Sequence, residues 1–538
     1  LKYCYYTQYS SSIVAAVQSR RNSPPSLLPL IKPGAYTHNL LELKRNLQKI
    51  DESARLTEIV NAYRKASRFL RTRRNRLQSH YTGENASDDV EVVLLGRPYT
   101  ILSPSMNKRI PQIFGAQGVK AYFQDMVPYT PELFSAEDGS KIQPLLDSIH
   151  WKYATTIIKS AFTAAKTKNL YPVYITSFKC SPDSFTLDYF ERIMEAHNKP
   201  YLVLQLDEHD SSVGYETRIE AGVRAFRNHA ATVESGTVDY TKSKRRRVTA
   251  ELNSAKNEVR SKTLLFPNWD SITNPLLVAN LQREGIDARI LEEDHTLIQH
   301  SMSLNSGQCL PVSVVAEEAM EYVRRHGLDP ARTAVWIAKA KLACNLPMYP
   351  YHIKSLFEAA GGGMEKLDVY VGELSHFELS PKVSIQAYFA YMCGGLLRRL
   401  GCQIRPYEVN QGDTDRCVER RFYSKLQGSF DELDTLNNRE SEELMNKFNI
   451  RVQHDGESME NILKIFHIIN EHPDTALFVQ AVPSFCCPAL ITEAMNRDIE
   501  RVTGVPVVSI TYDGTGTPQN DRIIPYLAYQ EKHHASRV

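Results

Sequence analysis

This chain has almost no net charge and no long apolar run. Across 538 residues, 64 Lys and Arg stand against 62 Asp and Glu, which gives a formal net charge of +2. This balance provides no general electrostatic attraction to nucleic acid or to a membrane surface. The sequence also lacks a run of about eighteen apolar residues, and its first residues lack the charged-then-apolar pattern of a secretory signal. We therefore expect a cytoplasmic protein with neither a nucleic-acid nor a membrane partner.

Cysteine is scarce, and the common phosphate-binding motifs are missing. Nine cysteines are spread thinly over the chain and form no CxxC pair. This distribution argues against a disulfide framework and leaves reduced thiols or metal ligands. We find no GxxxxGK[ST] loop and no GxGxxG fingerprint, and the glycines at 361–363 follow a helical segment, where helix caps are expected. ATP binding by this chain is therefore not expected.

The chain is too long for one hydrophobic core, so three or four domains are expected. Apolar strands alternate with amphipathic helices, which indicates an α/β fold in two related halves with helical insertions. Because the chain begins with Leu instead of Met, we expect a fragment. The predicted parts are a remnant of a first α/β lobe (1–36), a helical insertion (37–88), α/β structure of the first half (89–238), a basic linker (239–262), two α/β lobes of the second half (263–365, and 366–530 with a helical insertion) and a tail (531–538).

Two cysteine-proline turns stand out. FKCSPDSF (178–185) contains Cys180, and FCCPALITEAM (485–495) contains Cys486 and Cys487. An apolar strand precedes each turn, and a helix and another strand follow it. A cysteine at the carboxyl end of a strand and the start of a helix lies where open α/β sheets bind ligands, beside a helix dipole that favours thiolate. These turns therefore predict a metal site.

The cysteine spacings alone leave several kinds of site open. Three cysteines from different strand ends can hold an iron-sulfur cluster and leave one iron free for exchange, because soft thiolates suit iron. Zinc in a structural site usually takes four closed ligands. Free buried cysteines without any metal are a further alternative.

An ordered set of phrases carries a family resemblance. The phrases are FKCSPDSF with the DEHDSSVGYETRIEA segment that follows it, GQCLP, ACNLPMYP, FCCPALITEAM and YDGTGTPQND. Together they resemble the iron-sulfur region of activase-related proteins in the 2-hydroxyacyl-CoA dehydratase superfamily, over nearly the whole chain. The resemblance implies several Rossmann-like or flavodoxin-like doubly wound domains. It also implies a cofactor, either 4Fe-4S clusters or a bridged double cubane.

The resemblance further implies a ligand set. The matching cysteines are Cys4 and Cys180 in the first half and Cys309, Cys344 and Cys487 in the second, with Cys486 as an alternative to its neighbour. The first-half counterpart of Cys309 would precede residue 1, so we expect only one complete three-thiolate site. Cys393 lies in an apolar helical segment and is predicted to be core, whereas Cys402 and Cys417 match no motif.

Polar residues after one predicted strand are candidates for chemistry. Asp207, Glu208 and His209 end a strand, and Arg218 and Glu220 lie near the start of the next helix. Such groups can orient a substrate or transfer protons. Alternatively, the arginine and the second glutamate brace the turn.

A further candidate is the GRPY turn at 96–99. It places Arg97 after a strand, where it either faces an anionic ligand or has only a structural role.

The leading functional hypothesis is an iron-sulfur component that accepts electrons from an ATP-hydrolysing activase and passes them to a substrate at an open cluster iron. The resemblance implies either dehydration of a 2-hydroxyacyl-CoA or reduction of a small molecule, and a homodimer is a candidate assembly. The alternatives are a noncatalytic α/β scaffold that regulates a dehydratase partner and a plain zinc protein.

Overall fold

The computed structural model describes most of the chain. The described residues are 2–19, 26–32, 34–84, 89–129, 142–143, 145–177, 180–207, 213–235, 260–340, 344–372, 381–410, 412–413, 438–448, 450–451, 454, 457–515 and 519–528. Glu208, His209 and Cys417, which the sequence singled out, lie outside them.

The first sheet contains four parallel strands in the order β2-β1-β3-β4. Strands β1 and β3 are central and almost wholly buried, which explains their unbroken apolar sequences, because a parallel sheet is covered on both faces. The strands are β1 (Glu91–Leu95), β2 (Lys120–Phe123), β3 (Leu170–Ser177) and β4 (Leu202–Leu206).

Helices precede and cover this sheet. They are α1 (Tyr5–Ser19), α2 (Tyr36–Leu47), α3 (Leu56–Glu84), α4 (Pro98–Ile101), α5 (Ile110–Ala116), α6 (Lys152–Lys166), α7 (Ser181–Ala196) and α8 (Val213–Glu234). Helices α2 and α3 fall within the range predicted to be a helical insertion.

The second sheet repeats this topology. Its strands β5 (Thr263–Phe266), β6 (Ala288–Ile290), β7 (Thr333–Ala338) and β8 (Asp368–Gly372) are parallel in the order β6-β5-β7-β8. The helices around it are α9 (Thr273–Arg283), α10 (His295–Ser303), α11 (Leu310–Arg325), α12 (Tyr349–Ala360) and α13 (Pro381–Ile404). The shared strand order agrees with two related halves and confirms the predicted α/β fold class.

A third, two-stranded unit follows. Strands β9 (Phe478–Pro483) and β10 (Val507–Tyr512) are parallel and are joined by α16 (Cys487–Thr503). The remaining helices are α14 (Asn438–Lys447), α15 (Glu457–Glu471) and α17 (Ile524–Ala528). Short 3-10 turns lie at Pro330–Arg332, Leu346–Met348, Met364–Lys366, Arg405–Tyr407 and Asn520–Ile523.

The N-terminal segment contacts two of these units. Lys2 forms a parallel bridge with Trp151, at the start of α6 beside the first sheet. Tyr5 and Tyr9 of α1 are fully buried in the core of the third unit, together with Ile491 of α16. Helix α1 thus brings the start of the chain to the C-terminal unit.

The two four-stranded sheets share one core. Phe185 of α7 is 1% exposed, and its ring stacks on that of Tyr349 of α12 with centroids 6.3 Å apart. Burying one such aromatic side chain stabilises the fold by about 1.5–3 kcal/mol. This packing holds the start of α7 against the start of α12. Within the described part of the chain, no helix combines the length and apolarity needed to cross a bilayer.

Candidate metal centre

Three helices begin at a cysteine. Cys180, Cys309 and Cys486 are the N-cap residues of α7, α11 and α16, each with extended backbone angles. Proline stands two residues after each cysteine, a position where its missing N–H leaves no helical hydrogen bond broken. The sequence C-x-P therefore places each sulfur at the positive end of a helix.

Cys486 occupies the same helix position as Cys180. Each is the N-cap residue of its helix with proline two residues further on, and neither side chain makes a capping hydrogen bond. Cys486 is thus the structural equivalent of Cys180. Cys487, which the resemblance favoured, is the next residue along and is fully buried in the first turn of α16.

The N-terminal ends of these helices meet at direct contacts. Asn345 donates to the Ser181 hydroxyl over 2.7 Å, and Gln308 donates to the Ser184 carbonyl over 3.1 Å. The N–H of Leu310 donates to the carbonyl of Ser484 over 3.1 Å. Cysteines that lie far apart in the sequence are therefore neighbours in the fold.

We divide the six cysteines named by the resemblance into two sets of three by their electrostatic influence on one another, and the sets overlap because Cys309 also influences Cys487. Among the thiols, Cys309 and Cys486 have the largest effects on the pKa of Cys344. The thiols that affect the pKa of Cys487 are Cys180, Cys309 and Cys4. Besides burial, the pKa of Tyr349 is raised by Cys309, Cys344 and Cys486. Besides burial, the pKa of Tyr6 is raised by Cys4, Cys180 and Cys487. We call Cys4, Cys180 and Cys487 the first triad, and Cys309, Cys344 and Cys486 the second triad.

A buried arginine faces the first triad. The Arg97 side chain donates from Nη1 to Cys4 Sγ over 2.9 Å and from Nε to Asp183 Oδ1 over 2.7 Å. Burial disfavours its charged form, but the negative charge of Asp183 outweighs that effect and holds the pKa of Arg97 well above its usual value. Arg97 therefore has a structural ion pair, and its role toward an anionic ligand stays a prediction.

The turn that carries Arg97 requires a glycine. A Cβ atom on Gly96 would lie 2.5 Å from the carbonyl oxygen of Ile175, on the neighbouring strand β3. Gln124 fixes the same residue by hydrogen bonds to its N–H and its carbonyl. This close approach directs the arginine side chain toward the start of α7.

Neutral groups face the second triad. Cys309 Sγ lies 2.9 Å from the hydroxyl oxygen of Tyr349, and the N–H of Leu346 donates to Cys344 Sγ over 3.4 Å. Asn345 connects the two triads, because its Oδ1 accepts from the Cys487 thiol over 3.7 Å. No cation comparable to Arg97 contacts a second-triad sulfur among the described residues.

Burial opposes ionisation of these thiols. It raises the pKa of Cys180, Cys309 and Cys344 to about 12, and it raises the pKa of Cys486 and Cys487 as well. We expected the helix dipoles to favour thiolate, but the loss of hydration outweighs them. The five thiols are therefore protonated at neutral pH in the metal-free protein, and a metal must displace their protons.

The donor set fits an iron-sulfur cluster in its chemistry. All six sulfurs lie at buried or half-buried helix ends, and thiolate sulfur is the ligand that such clusters use. Within the described ranges, however, no three Cys, His, Asp or Glu side chains surround a single metal position. Binding would require Cys309 and Cys487 to exchange their present hydrogen bonds for bonds to metal.

Of the predicted catalytic residues, the structure describes Asp207, Arg218 and Glu220. Asp207 follows β4 at the carboxyl edge of the first sheet and is exposed, and Arg218 and Glu220 are exposed on α8. Neither α8 residue makes a hydrogen bond or an ion pair with a cysteine in the described part of the chain. Their catalytic role stays a prediction.

The remaining described cysteines lie on α13. Cys393 is half-buried and Cys402 is exposed, and burial raises the pKa of Cys393. Neither thiol is among the main groups that shift the pKa of a triad cysteine. They are thus separate from the candidate centre.

Several important residues were missed at the sequence level. Asp183, Asn345 and Tyr349 stand within the quoted cysteine phrases, and Tyr6 stands two residues after Cys4. Their position beside cysteines was the available signal, but which of them face sulfur depends on contacts between distant segments.

Comparison with known proteins gives one match. Residues 2–127 match a family described as "CoA enzyme activase uncharacterised domain". This region includes Cys4, Arg97 and strands β1 and β2. No curated protein and no solved structure matches the chain. Residues 2–127 are therefore similar to this activase-associated domain.

Proposed function

We propose that this chain is an iron-sulfur electron-transfer component of the 2-hydroxyacyl-CoA dehydratase type. The observation that carries the proposal is the grouping of six cysteines from both ends of the chain into two triads around helix N-termini. Each triad has the three thiols that a 4Fe-4S cluster with one open iron requires. The first triad takes Cys487 from the C-terminal unit, so it does not depend on a cysteine before residue 1.

We assign the ligands according to the two triads. Cys4, Cys180 and Cys487 would hold one cluster, and Cys309, Cys344 and Cys486 the other, either separately or as a bridged double cubane. When bound, such a group supplies a low-potential electron and an exchangeable iron position. This assignment exchanges Cys486 and Cys487 relative to the set that the resemblance implied.

The residues around the triads would give the two bound clusters different reduction potentials. Arg97 places a buried positive charge next to Cys4, which stabilises thiolate and the negative charge of a bound cluster. Tyr349 and Tyr6 each supply a neutral hydroxyl group. Hydrogen bonds and charges near the sulfurs set the reduction potential of such clusters, so the first site should have the higher potential.

The electron donor and the substrate are proposed from the similarity of residues 2–127 to an activase-associated domain. The activase-related region at 2–127 supports a partnership with an ATP-hydrolysing activase, and acyl-CoA or a small molecule is the proposed substrate. Asp207 lies at the same sheet edge as Cys180, and we assign it, with Glu208, His209, Arg218 and Glu220, to substrate orientation or proton transfer. An Asp207→Asn variant should keep its metal content and lose turnover.

The decisive experiment measures metal content after anaerobic purification. We expect iron and acid-labile sulfide in the wild-type chain and visible cluster absorbance. Cys180→Ser and Cys344→Ser should each remove the absorbance of one site, about half of the total. Cys393→Ser and Cys402→Ser are matched controls on α13 and should leave the spectrum unchanged. Absence of iron and sulfide in the wild-type protein would contradict the proposal.

A noncatalytic scaffold is the second candidate. It is favoured by the present hydrogen bonds of Cys309 to Tyr349 and of Cys487 to Asn345, which satisfy neutral thiols without any metal. In that case the Cys344→Ser variant would show an unchanged anaerobic spectrum while still binding a dehydratase partner. Zinc without iron in the metal analysis would indicate a zinc protein instead.

A further inference from the structure

A cavity of about 440 Å³ lies beside α1. Its lining includes Tyr3 and Thr7, which flank Cys4 in the sequence, and the Thr7 hydroxyl lies 3.4 Å from Cys4 Sγ. The cavity therefore borders the first triad. No function has been assigned to this cavity above.

One wall of the cavity is fixed by hydrogen bonds. The backbone N–H of Lys32 donates to Asn39 Oδ1 over 2.8 Å, and Asn39 Nδ2 donates back to the Lys32 carbonyl over 2.9 Å. Arg451 Nη2 donates to the Leu28 carbonyl over 3.0 Å. Residues 28–32 are thus held in place as a preformed surface, which lowers the entropy lost on binding.

The cavity is lined by cations and by no described carboxylate. Lys32, Lys152 and Arg451 belong to its lining, and Glu42, which pairs with Arg451, does not. Lys152 Nζ lies 3.3 Å from the Tyr3 hydroxyl, and neither lysine has an ion pair with a described residue. Two ammonium groups at a concave surface without counter-charge attract an anion.

Aromatic rings form a second wall. The rings of Tyr3 and Tyr153 lie 5.1 Å apart, and Tyr63 completes the lining on that side. Such a wall accepts the planar or apolar part of a ligand, while the cations hold its charged end. A rigid wall, unpaired cations and aromatic rings are the parts of a binding site.

We propose that this cavity binds an anionic ligand through phosphate or carboxylate oxygens held by Lys32 and Lys152. Thr7 lines the cavity and contacts Cys4, so a ligand bound there would serve as a substrate or an effector of the centre behind Thr7. The proposal does not depend on cluster binding, because cavity and lysines are present in the metal-free chain.

The test uses calorimetric titration of the full-length, metal-free protein with inorganic pyrophosphate and, separately, with succinate. We expect at least one probe to bind, and the one that binds distinguishes phosphate from carboxylate. A Lys32→Gln/Lys152→Gln variant should weaken binding by roughly tenfold for each lysine lost. Lys49→Gln, an exposed change on the loop after α2, is the matched control and should bind like the wild type.

A variant that fills the cavity tests whether the anion binds inside it or is only attracted by the positive charge of the surface. Ser11 is exposed on α1 and lines the cavity, so Ser11→Trp fills the space without removing a cation. It should abolish binding while the thermal midpoint of unfolding stays near that of the wild type. The proposal is overturned if neither probe binds, if Ser11→Trp binds normally, or if Lys49→Gln weakens binding as much as the double variant.

Discussion

In the first triad a buried arginine and the hydroxyl group of Tyr6 face the sulfur atoms, whereas a tyrosine hydroxyl and a backbone N–H group face those of the second, without an arginine among the described residues. Both triads contain a helix that begins at a C-x-P turn, and the two four-stranded sheets have the same strand order. The scaffold is therefore repeated while the electrostatic surroundings are not. Two sites on one repeated scaffold can therefore stabilise negative charge to different extents, because different residues surround them.

Replacing Arg97 should have the largest effect on this difference. Arg97→Met leaves the carboxylate of Asp183 buried without a counter-charge, so the free energy of unfolding should fall by about 3–5 kcal/mol. Urea unfolding of the reduced, metal-free protein measures this loss. Arg325→Met, at an exposed arginine of α11, is the control and should change stability by less than about 1 kcal/mol.

A paired substitution tests the cause of that loss. Arg97→Met combined with Asp183→Asn removes both charges and should restore part of the stability. If the double variant is as unstable as the sum of the two single variants, the ion pair is not the reason for the arginine's burial.

Asn345 connects the triads, and its loss should have the next largest effect. Asn345→Ala removes the hydrogen bond to Ser181 and the acceptor for the Cys487 thiol, which should destabilise the fold by about 2 kcal/mol. The measurement is again urea unfolding. Asn410→Ala removes an exposed asparagine and should change the value by less than about 0.5 kcal/mol. Equal effects of the two changes would show that Asn345 does not hold the triads together.

The α/β fold could be predicted because its signals are local. The unbroken apolar sequence of β3 and the C-x-P turn before α7 are complete within a short segment, and both formed as expected.

The assignment of thiols to groups could not be predicted, because it depends on contacts between distant segments. The packing of α1 against the C-terminal unit brings Cys4 close to Cys487, and no local pattern around Cys4 indicates that contact. Which of Cys486 and Cys487 occupies the N-cap of its helix was likewise not evident from the sequence. The expectation of thiolate also neglected burial, which depends on the completed core.

Burial of the Cys309 thiol in the second triad should appear in the pH dependence of stability. The pKa of Cys309 is raised from about 9 to about 12 on folding, so the folded state holds its proton more strongly than the unfolded state. Its contribution is complete below pH 9 and is lost as pH rises from 9 towards 12, with a slope of about 1.4 kcal/mol per pH unit.

Comparison of variants isolates this slope. Unfolding measured between pH 8 and pH 10.5 under reductant should be less pH-dependent in Cys309→Ala than in the wild type, whereas Cys402→Ala, at an exposed thiol, should keep the full slope. An unchanged slope in Cys309→Ala would mean that this thiol ionises equally in both states.

The smallest effect is expected from Tyr349→Phe, which removes the hydroxyl group at Cys309 and keeps the ring that stacks on Phe185. The loss of one buried hydrogen bond should lower the free energy of unfolding by about 1 kcal/mol. Tyr391→Phe on α13 serves as the control, because its ring is half exposed and faces no triad. If Tyr349→Phe is as stable as the wild type, the hydroxyl does not stabilise the thiol, and the two triads differ only by the arginine. If it loses about 1 kcal/mol, each triad has its own donor, and the contrast between a charged and a neutral donor accounts for their difference.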